Sequence, residues 1–306
     1  MNLDRAHPEL QKSLRRIPTI PIHYAPVRWL ISKLANLVPG FKGDDDIEVE
    51  WIEHSHSQSK VYQPRNLQSD MALLWIHGGG YLFGHANQDD KLVQRVINRL
   101  GITVVSVHYR MAPAHPFPAA LDDCATSWQW LRANAADLGV DPHKILIGGQ
   151  SAGGGLTASL AQRLLDEGGI QPMAQLLFCP MLDDRTVLRT ELSDDNHFIW
   201  NNKSNRTGWQ CYLGQEPGMP TVPEYAVPAR RESLSGLPPA WIGVGSIDLF
   251  ADEDVAYAER LKTDGVECEL FVTDGAPHAY ESFFPDTNVA KAHWESVFRF
   301  IERLAA

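Results

Sequence analysis

The run GQSAG at Gly149–Gly153 constrains the fold more than any other stretch of the chain. It follows an apolar run, Lys144–Gly148, and precedes a helix-like run, Leu156–Leu165. A short buried strand, a G-x-S-x-G turn and a helix together predict a nucleophile elbow. The strand and helix backbones nearly touch in such a turn, so Gly149 and Gly153 supply room that a side chain would fill. The sequence therefore predicts that Ser151 stands above the end of a strand.

The position of Ser151 at a helix start bears on its chemistry. Free backbone N–H groups and the positive end of the helix dipole lie beneath such a serine. A serine held there needs only a base, and an acid to orient that base, to become a nucleophile. A glycine-rich turn with an N-capping serine would give the same local pattern. From this run alone, both interpretations stay open.

The length and charge of the chain limit its architecture and partners. A chain of 306 residues suits one large α/β domain, or one domain with a lid. With 44% hydrophobic and 21% charged residues, its composition is that of a folded globular protein. The formal net charge of −11 disfavours nucleic acid and anionic membranes as partners.

Cysteine usage and the N-terminus indicate a compartment. The four cysteines have no metal-ligand spacing, and two of them lie in apolar runs, which indicates reduced thiols. The first residues lack the apolar core of a secretory signal, and no apolar run has the length of a membrane span. We therefore expect a cytoplasmic protein.

A glycine triplet follows another predicted strand. The apolar run Met71–Ile76 suits a fully buried strand, and it ends in His77-Gly78-Gly79-Gly80-Tyr81. Three glycines let backbone N–H groups point into a site without side-chain obstruction, which an oxyanion hole requires. A plain flexible turn is the alternative.

Further runs predict an edge hairpin and more buried strands. Alternation over Ile47–Ile52 and Lys60–Tyr62 predicts an antiparallel hairpin. Its polar loop, His54–Ser57, is better interpreted as a solvated turn than as a metal site. Other strands are predicted at Ile102–Val107, Ala174–Cys179, Pro239–Gly245 and Cys268–Val272, and helices at Asn87–Leu100, Ala119–Ala136, Val255–Lys262 and Val289–Leu304.

An acid and a histidine follow the last two predicted strands. Asp248 lies just past a strand end, where α/β sheets present functional groups. The acids at 252–254 open the next helix and are assigned to capping and the helix dipole. His278 lies between the final strand and the C-terminal helix, which completes the order Ser, Asp, His. Asp274 is the competing acid, but only four residues separate it from His278.

Three motifs together carry a family resemblance. HGGG at 77–80, YRMAPAHPFPAA at 109–120 and GQSAGG at 149–154 resemble the α/β-hydrolase carboxylesterases of the hormone-sensitive-lipase type. The likeness runs from about Leu73 to the C-terminus. It implies an α/β-hydrolase fold, with a mostly parallel sheet of about eight strands flanked by helices and a helical cap. Members of this family often pair as dimers through the edge of the sheet, so the resemblance also implies a homodimer.

The resemblance assigns roles to residues of this chain. Ser151 matches the nucleophile, and the N–H groups of Gly79, Gly80 and Ala152 match the oxyanion hole. Asp248 matches the first acid of the family's DxLxDE-like pattern. Three positions depart from the common motifs: Gln150 replaces Asp, Ala114 replaces Glu, and His108 replaces a frequent acid. These departures bear on neighbouring hydrogen bonds and on specificity more than on catalysis.

The same resemblance divides the chain into domains. Residues 46–185 and 234–306 form the predicted catalytic domain, while 1–45 and 186–233 form the predicted cap. Most cap aromatics are expected to form the small core of the cap. The residues selected as candidates for the substrate pocket are Tyr81, Phe198, Trp209 and Leu249.

The predicted activity is that of a serine carboxylesterase. A two-part cap favours small-molecule esters with short or medium acyl chains, cleaved through an acyl-enzyme. The predicted mechanism needs no metal and no organic cofactor. The same triad acting on amides, formamides or lactones is one alternative. A hydrolase-fold ligand receptor is another, but such receptors typically lack the histidine that His278 supplies.

Overall fold

One eight-stranded sheet forms the centre of the protein. The computed structural model describes residues 3–18, 20–35, 37–192 and 197–306. The strand order is β1-β2-β4-β3-β5-β6-β7-β8. The strands are β1 (Ile47–Glu53), β2 (Gln58–Pro64), β3 (Ala72–Ile76), β4 (Thr103–His108), β5 (Ile145–Gln150), β6 (Ala174–Phe178), β7 (Ala240–Gly245) and β8 (Cys268–Thr273).

Helices connect the strands and cover the sheet. The α-helices are α1 (Pro8–Leu14), α2 (Ala25–Ala35), α3 (Asp90–Leu100), α4 (Ala119–Ala133), α5 (Ala152–Glu167), α6 (Asn202–Leu213), α7 (Ala251–Thr263), α8 (Tyr280–Phe283) and α9 (Asn288–Ala305). Short 3-10 helices span Leu3–Arg5, Ala86–Asp89, Asp184–Leu188 and Pro228–Arg230. No helix in the described ranges is long and apolar enough to cross a membrane.

Strands β4, β3, β5, β6, β7 and β8 are parallel, whereas β2 pairs antiparallel with both of its neighbours, β1 and β4. Every residue of β3, β5, β6 and β7 is buried, because helices cover both faces of these central strands. The predicted eight-stranded, mostly parallel sheet and its edge hairpin are therefore confirmed. The helix predicted at Val255–Lys262 begins earlier, at Ala251.

Two apolar cores lie on opposite faces of the sheet. One contains Trp128 of α4, Leu156 of α5 and Tyr257 of α7. The other contains Val93 of α3 and Trp294 of α9. Because the central strands are parallel, their carboxyl ends meet at one edge. The loops that follow β3, β5, β7 and β8 lie at this edge. They carry, in this order, the glycine triplet, Ser151, Asp248 and His278.

The segments predicted to form the cap differ in where they pack. Within 186–233, α6 contributes Trp209 and Tyr212 to the core on the α5 face. Within 1–45, α1 buries Leu10 and Leu14 against Tyr280, in the chain that follows β8. Residues 193–196, which belong to the predicted cap insertion, lie outside the described residues, as do 1–2, 19 and 36.

Candidate active site

The turn between β5 and α5 has the geometry of a nucleophile elbow. Ser151 has φ 56° and ψ −118°, a conformation that residues with side chains rarely adopt. A Cβ atom added at Gly153 would lie 2.0 Å from the Ile76 carbonyl oxygen, and one at Gly149 would lie 2.4 Å from the Gly153 oxygen. Both positions therefore require glycine, as the sequence predicts.

Ser151, His278 and Asp248 form a hydrogen-bonded chain. His278 Nε2 lies 2.9 Å from Ser151 Oγ, and His278 Nδ1 lies 2.8 Å from Asp248 Oδ2. The other oxygen of Asp248 accepts a hydrogen bond of 3.0 Å from the Phe250 backbone N–H. All three side chains are buried. The structure thus brings together the three residues that the sequence selects from three separate loops.

The competing acid lies elsewhere. Asp274 is exposed, and its Oδ1 accepts a hydrogen bond of 3.1 Å from Ser246 Oγ. Its contact is therefore with the loop that follows β7, whereas the imidazole of His278 is bonded to Asp248.

Three backbone N–H groups beside Ser151 are available to a ligand. Those of Gly79, Gly80 and Ala152 donate to no backbone or side-chain acceptor in the described ranges. Ala152 is the first residue of α5, where N–H groups have no intrahelical partner. Such donors, held in place before a substrate arrives, suit a negatively charged oxygen.

Both glycines of this set are sterically required. Gly79 has φ +128°, and a Cβ atom there would lie 1.7 Å from the Phe83 carbonyl oxygen. Gly80 has φ +59°, and its Cβ would lie 2.1 Å from Cη2 of Trp200. The indole of Trp200 therefore packs directly over the glycine turn, a long-range contact that the sequence analysis missed.

A cavity of about 410 Å³ opens beside Ser151 and His278. Its apolar wall comes mainly from the N-terminal segment, the chain that follows β3, the chain before α6, and α8. The larger apolar residues are Ile20, Ile22, Ile31, Phe83, Ile199, Trp200 and Phe283. The polar residues are Gln88, Asp89, Gln150, Ser204 and Ser282. Its volume lies in the range of sites that enclose small molecules.

The four residues proposed for the substrate pocket do not line this cavity. Tyr81 stacks on the ring of Tyr212 at 3.9 Å and packs against Trp209, inside the core on the α5 face. Leu249 belongs to the same core, and Phe198 packs with α1. The expectation is therefore corrected: these side chains satisfy core packing, and neighbours such as Trp200 face the cavity.

Gln150, one of the departures from the family motif, has defined partners. Its Nε2 donates to Glu281 Oε1 and to Ser282 Oγ, the latter at 2.7 Å. Burial raises the pKa of Glu281 above its ordinary value. The other two departures lie apart from this network. Half-buried His108 packs against His85 with ring centroids 4.3 Å apart, and Ala114 is exposed.

The acids at the start of α7 do not all act on the helix dipole. Glu253 is buried and accepts hydrogen bonds from the backbone N–H groups of Leu182 and Asp183 and from the Thr186 hydroxyl. Burial raises its pKa to about 8. The neighbouring Asp254 is also buried, and burial raises its pKa well above the ordinary value. The dipole interpretation is thus wrong for these two acids.

One group of potential metal ligands overlaps this site. Among the described residues, ligand atoms of Cys179, Asp248 and His278 lie within 4.8 Å of one another. The hydrogen bond between Asp248 and His278 already uses two of them. Burial raises the pKa of the Cys179 thiol well above its ordinary value, so the thiolate that binds metals is disfavoured. The hairpin loop containing His54 holds no such group of three in the described ranges.

Several known proteins with similar sequences are named as ester hydrolases. A family model described as the alpha/beta hydrolase fold matches residues 73–282. The chain is 33% identical over 251 residues to carboxylesterase NlhH of Mycobacterium tuberculosis, covering 80% of this chain and 74% of that one. It is 30% identical over 215 residues to ethyl acetate hydrolase of Pseudomonas putida, covering 68% and 65%.

The fold is also that of solved esterases. A structure titled "Bacterial Heroin Esterase" superposes with a TM-score of 0.91 at 30% sequence identity, and 99% of each chain is covered. The elbow and the glycine triplet indicate the same class of enzyme as the names of these relatives, the ester hydrolases. The protein belongs to the hormone-sensitive-lipase-type α/β-hydrolase family and is a carboxylic ester hydrolase.

Proposed function

We propose that this enzyme hydrolyses short- to medium-chain carboxylic esters through an acyl-enzyme on Ser151. The observation that carries the proposal is the hydrogen-bonded chain from Ser151 Oγ through His278 to Asp248, with 2.9 and 2.8 Å separations. The free N–H groups of Gly79, Gly80 and Ala152 support it, because acyl transfer develops negative charge on the carbonyl oxygen.

The first half of the proposed reaction acylates the enzyme. Ser151 Oγ attacks the ester carbonyl carbon while His278 Nε2 takes the hydroxyl proton. Asp248 accepts the Nδ1–H of the ring, which fixes the tautomer and stabilises the imidazolium. The tetrahedral oxyanion is stabilised by the three backbone donors. When it collapses, the alkoxide leaves with the proton from His278, and the acyl group stays on Ser151.

The second half releases the acid. A water molecule gives a proton to His278 Nε2 and attacks the acyl carbon. The resulting oxyanion uses the same three donors, and Ser151 Oγ leaves with the proton that His278 had taken. Each proton and electron pair in this cycle is supplied by the chain, the ester or water.

The size of the cavity supports the proposed chain length. About 410 Å³ is available, and residues of the N-terminal segment and of the chain before α6 enclose it. A long acyl chain would have to leave this enclosure and would gain no further burial. The printed names of two relatives, ethyl acetate hydrolase and heroin esterase, also point to small esters.

Hydrolysis of p-nitrophenyl esters from acetate to palmitate tests the proposal. We expect the rate to peak at short or medium chains, and Ser151→Ala to lose activity by several orders of magnitude. The exposed Ser235→Ala serves as the matched control and should behave as wild type. A Ser151→Ala variant with wild-type turnover, or a rate that keeps rising to palmitate, would overturn it. Matched anilides, run in parallel, separate esterase from amidase activity.

A further inference from the structure

We propose that Asp89 selects ester substrates that carry an ammonium group. This inference rests on the proposed function, since it concerns what the same cavity accepts. Asp89 ends the 3-10 helix Ala86–Asp89, directly before α3, and lines the cavity that opens beside Ser151.

One oxygen of the Asp89 carboxyl group is held and the other is available. Asp89 is only 7% exposed. Its Oδ2 accepts a hydrogen bond of 2.7 Å from the indole N–H of Trp75, which fixes the side chain against the sheet. Oδ1 has no hydrogen-bond partner in the described ranges, and it is not among the side-chain atoms that are fully enclosed without one. Because Asp89 lines the cavity, Oδ1 is free to accept a hydrogen bond from a ligand there.

Among the described residues, the lining of the cavity supplies no cation to Asp89. The cavity is lined by no lysine or arginine in the described part of the chain, and His278 is its only other titratable residue. Lys60 is paired with the neighbouring Asp90 at 2.7 Å. Glu281, bonded to Gln150, adds a further buried carboxyl group beneath the cavity.

This arrangement favours one kind of substrate. Burial raises the pKa of Asp89 to about 7, because its ionised form has lost water that a single indole N–H replaces only in part. An ammonium group of the substrate supplies both the missing donor and the opposite charge. A neutral substrate of the same shape supplies neither, and an anionic one would be repelled. The cavity is therefore expected to discriminate by charge as well as by size.

Two pairs of isosteric esters test the inference and locate the ammonium group. The first pair, 2-(dimethylamino)ethyl acetate and 3-methylbutyl acetate, places the difference in the alcohol. The second pair, the ethyl esters of 4-(dimethylamino)butyric and 5-methylhexanoic acids, places it in the acyl chain. The quantity measured is the ratio of kcat/KM, ammonium over neutral, for wild type and Asp89→Asn. The asparagine can still accept the Trp75 hydrogen bond, so the fold is expected to survive.

We expect this ratio to fall by roughly tenfold in Asp89→Asn for one of the two pairs, since hydrogen bonds to charged groups are the stronger kind. The pair that responds identifies the acyl or the alcohol side. Asp70→Asn removes the same charge from an exposed residue paired with Lys144, and it should leave the ratio unchanged. Equal ratios in wild type and Asp89→Asn for both pairs would overturn the inference.

A binding measurement separates this inference from the proposed mechanism. Calorimetry on Ser151→Ala, which retains the cavity, compares the affinities of the two members of each pair without turnover. Tighter binding of the ammonium member, lost in Ser151→Ala/Asp89→Asn, supports the inference even if no ester is hydrolysed. Equal affinities of both members would overturn it, whatever the activity of the wild type.

Discussion

At the scale of single residues, backbone strain is concentrated at the serine of the elbow. Ser151 has φ 56°, and such a conformation costs on the order of 1–3 kcal/mol. Its backbone N–H donates to the Phe178 oxygen at 2.8 Å, and its own oxygen accepts from Met181 at 3.0 Å. Strand β6 and the chain after it therefore hold the strained turn in place.

The choice between the two acids leads to a prediction about tautomers. Asp248→Asn should lower kcat by about three to four orders of magnitude, because an amide donor facing Nδ1 favours the wrong tautomer of His278. Asp274→Asn should change kcat less than about twofold, since Asp274 is exposed and bonded to Ser246. Steady-state kinetics on one ester measures kcat for both variants. Similar losses in both variants would contradict the assignment.

The contact between Gly80 and Trp200 leads to a second prediction. Gly80→Ala should lower kcat/KM by about 10²–10³, because displacement of the turn misplaces an oxyanion donor. The added Cβ would lie 2.1 Å from the Trp200 ring, so Gly80→Ala/Trp200→Ala should recover part of the loss. The four combinations, measured on one short-chain ester, form a double-mutant cycle. A double variant no better than Gly80→Ala would show that the indole is not the obstacle.

At the scale of elements, α1 and the residue before it bind the chain that follows β8 through hydrogen bonds. The His7 backbone N–H donates to the Gly275 oxygen at 2.8 Å. The Glu9 carboxylate accepts from the backbone and side-chain nitrogens of Asn288 at 2.7 and 2.9 Å. These contacts lie on both sides of His278 in the sequence. The N-terminal helix thus supports the loop that presents the imidazole.

Truncation of an apolar contact of α1 tests this support. Leu10 is fully buried and packs with Ala276 and Tyr280. Leu10→Ala should lower the free energy of unfolding by about 2–5 kcal/mol and reduce kcat, because the loop that carries His278 loses its support. Denaturant unfolding and ester kinetics measure the two effects. Lys12→Ala, exposed on the same helix, is the control, and an equal result for both variants would refute the role of α1.

Helix α7 leads to a prediction about stability and pH. Burial raises the pKa of Glu253 to about 8, so the folded protein retains a proton that the unfolded chain releases above its ordinary value of 4.5. Its contribution to stability therefore falls as pH rises from about 4.5 to about 8.

The corresponding variant is Glu253→Gln, whose amide oxygen still accepts from the Leu182 N–H. Its free energy of unfolding should fall less steeply than that of wild type between about pH 7 and 8. Asp252→Asn, one residue away and exposed, should keep the wild-type slope. Denaturant unfolding at several pH values gives both slopes. Parallel curves for wild type and Glu253→Gln would contradict the assigned pKa.

At the scale of the whole molecule, local patterns predict the sheet well and the cavity poorly. Buried strands are recognisable from continuous apolar runs, and the glycines of the elbow follow from the close approach of strand and helix. The cavity wall depends on packing between segments far apart in sequence. Trp200 covers Gly80, and Asp89 is held by Trp75. No periodicity within one segment encodes such contacts, so the pocket residues selected from the sequence lie outside the cavity wall.

Packing between distant segments also determines the surroundings of the acids at the start of α7. A run of acids at a helix start predicts interaction with the dipole, and exposed Asp252 is compatible with it. Whether Glu253 faces water or the loop after β6 depends on how α7 packs on the sheet. Only the folded molecule shows that its carboxyl group accepts the N–H groups of Leu182 and Asp183.

Trapping the acyl-enzyme tests the proposed role of Ser151 directly. The protein is mixed with p-nitrophenyl acetate, quenched in acid within the first turnover, and its peptides are mapped by mass spectrometry. We predict an acetyl group on the peptide that contains Ser151, at the Ser151 hydroxyl, and none in Ser151→Ala. Acetyl groups on another residue during turnover, or rapid ester hydrolysis by Ser151→Ala, would contradict the assignment of Ser151 as the nucleophile.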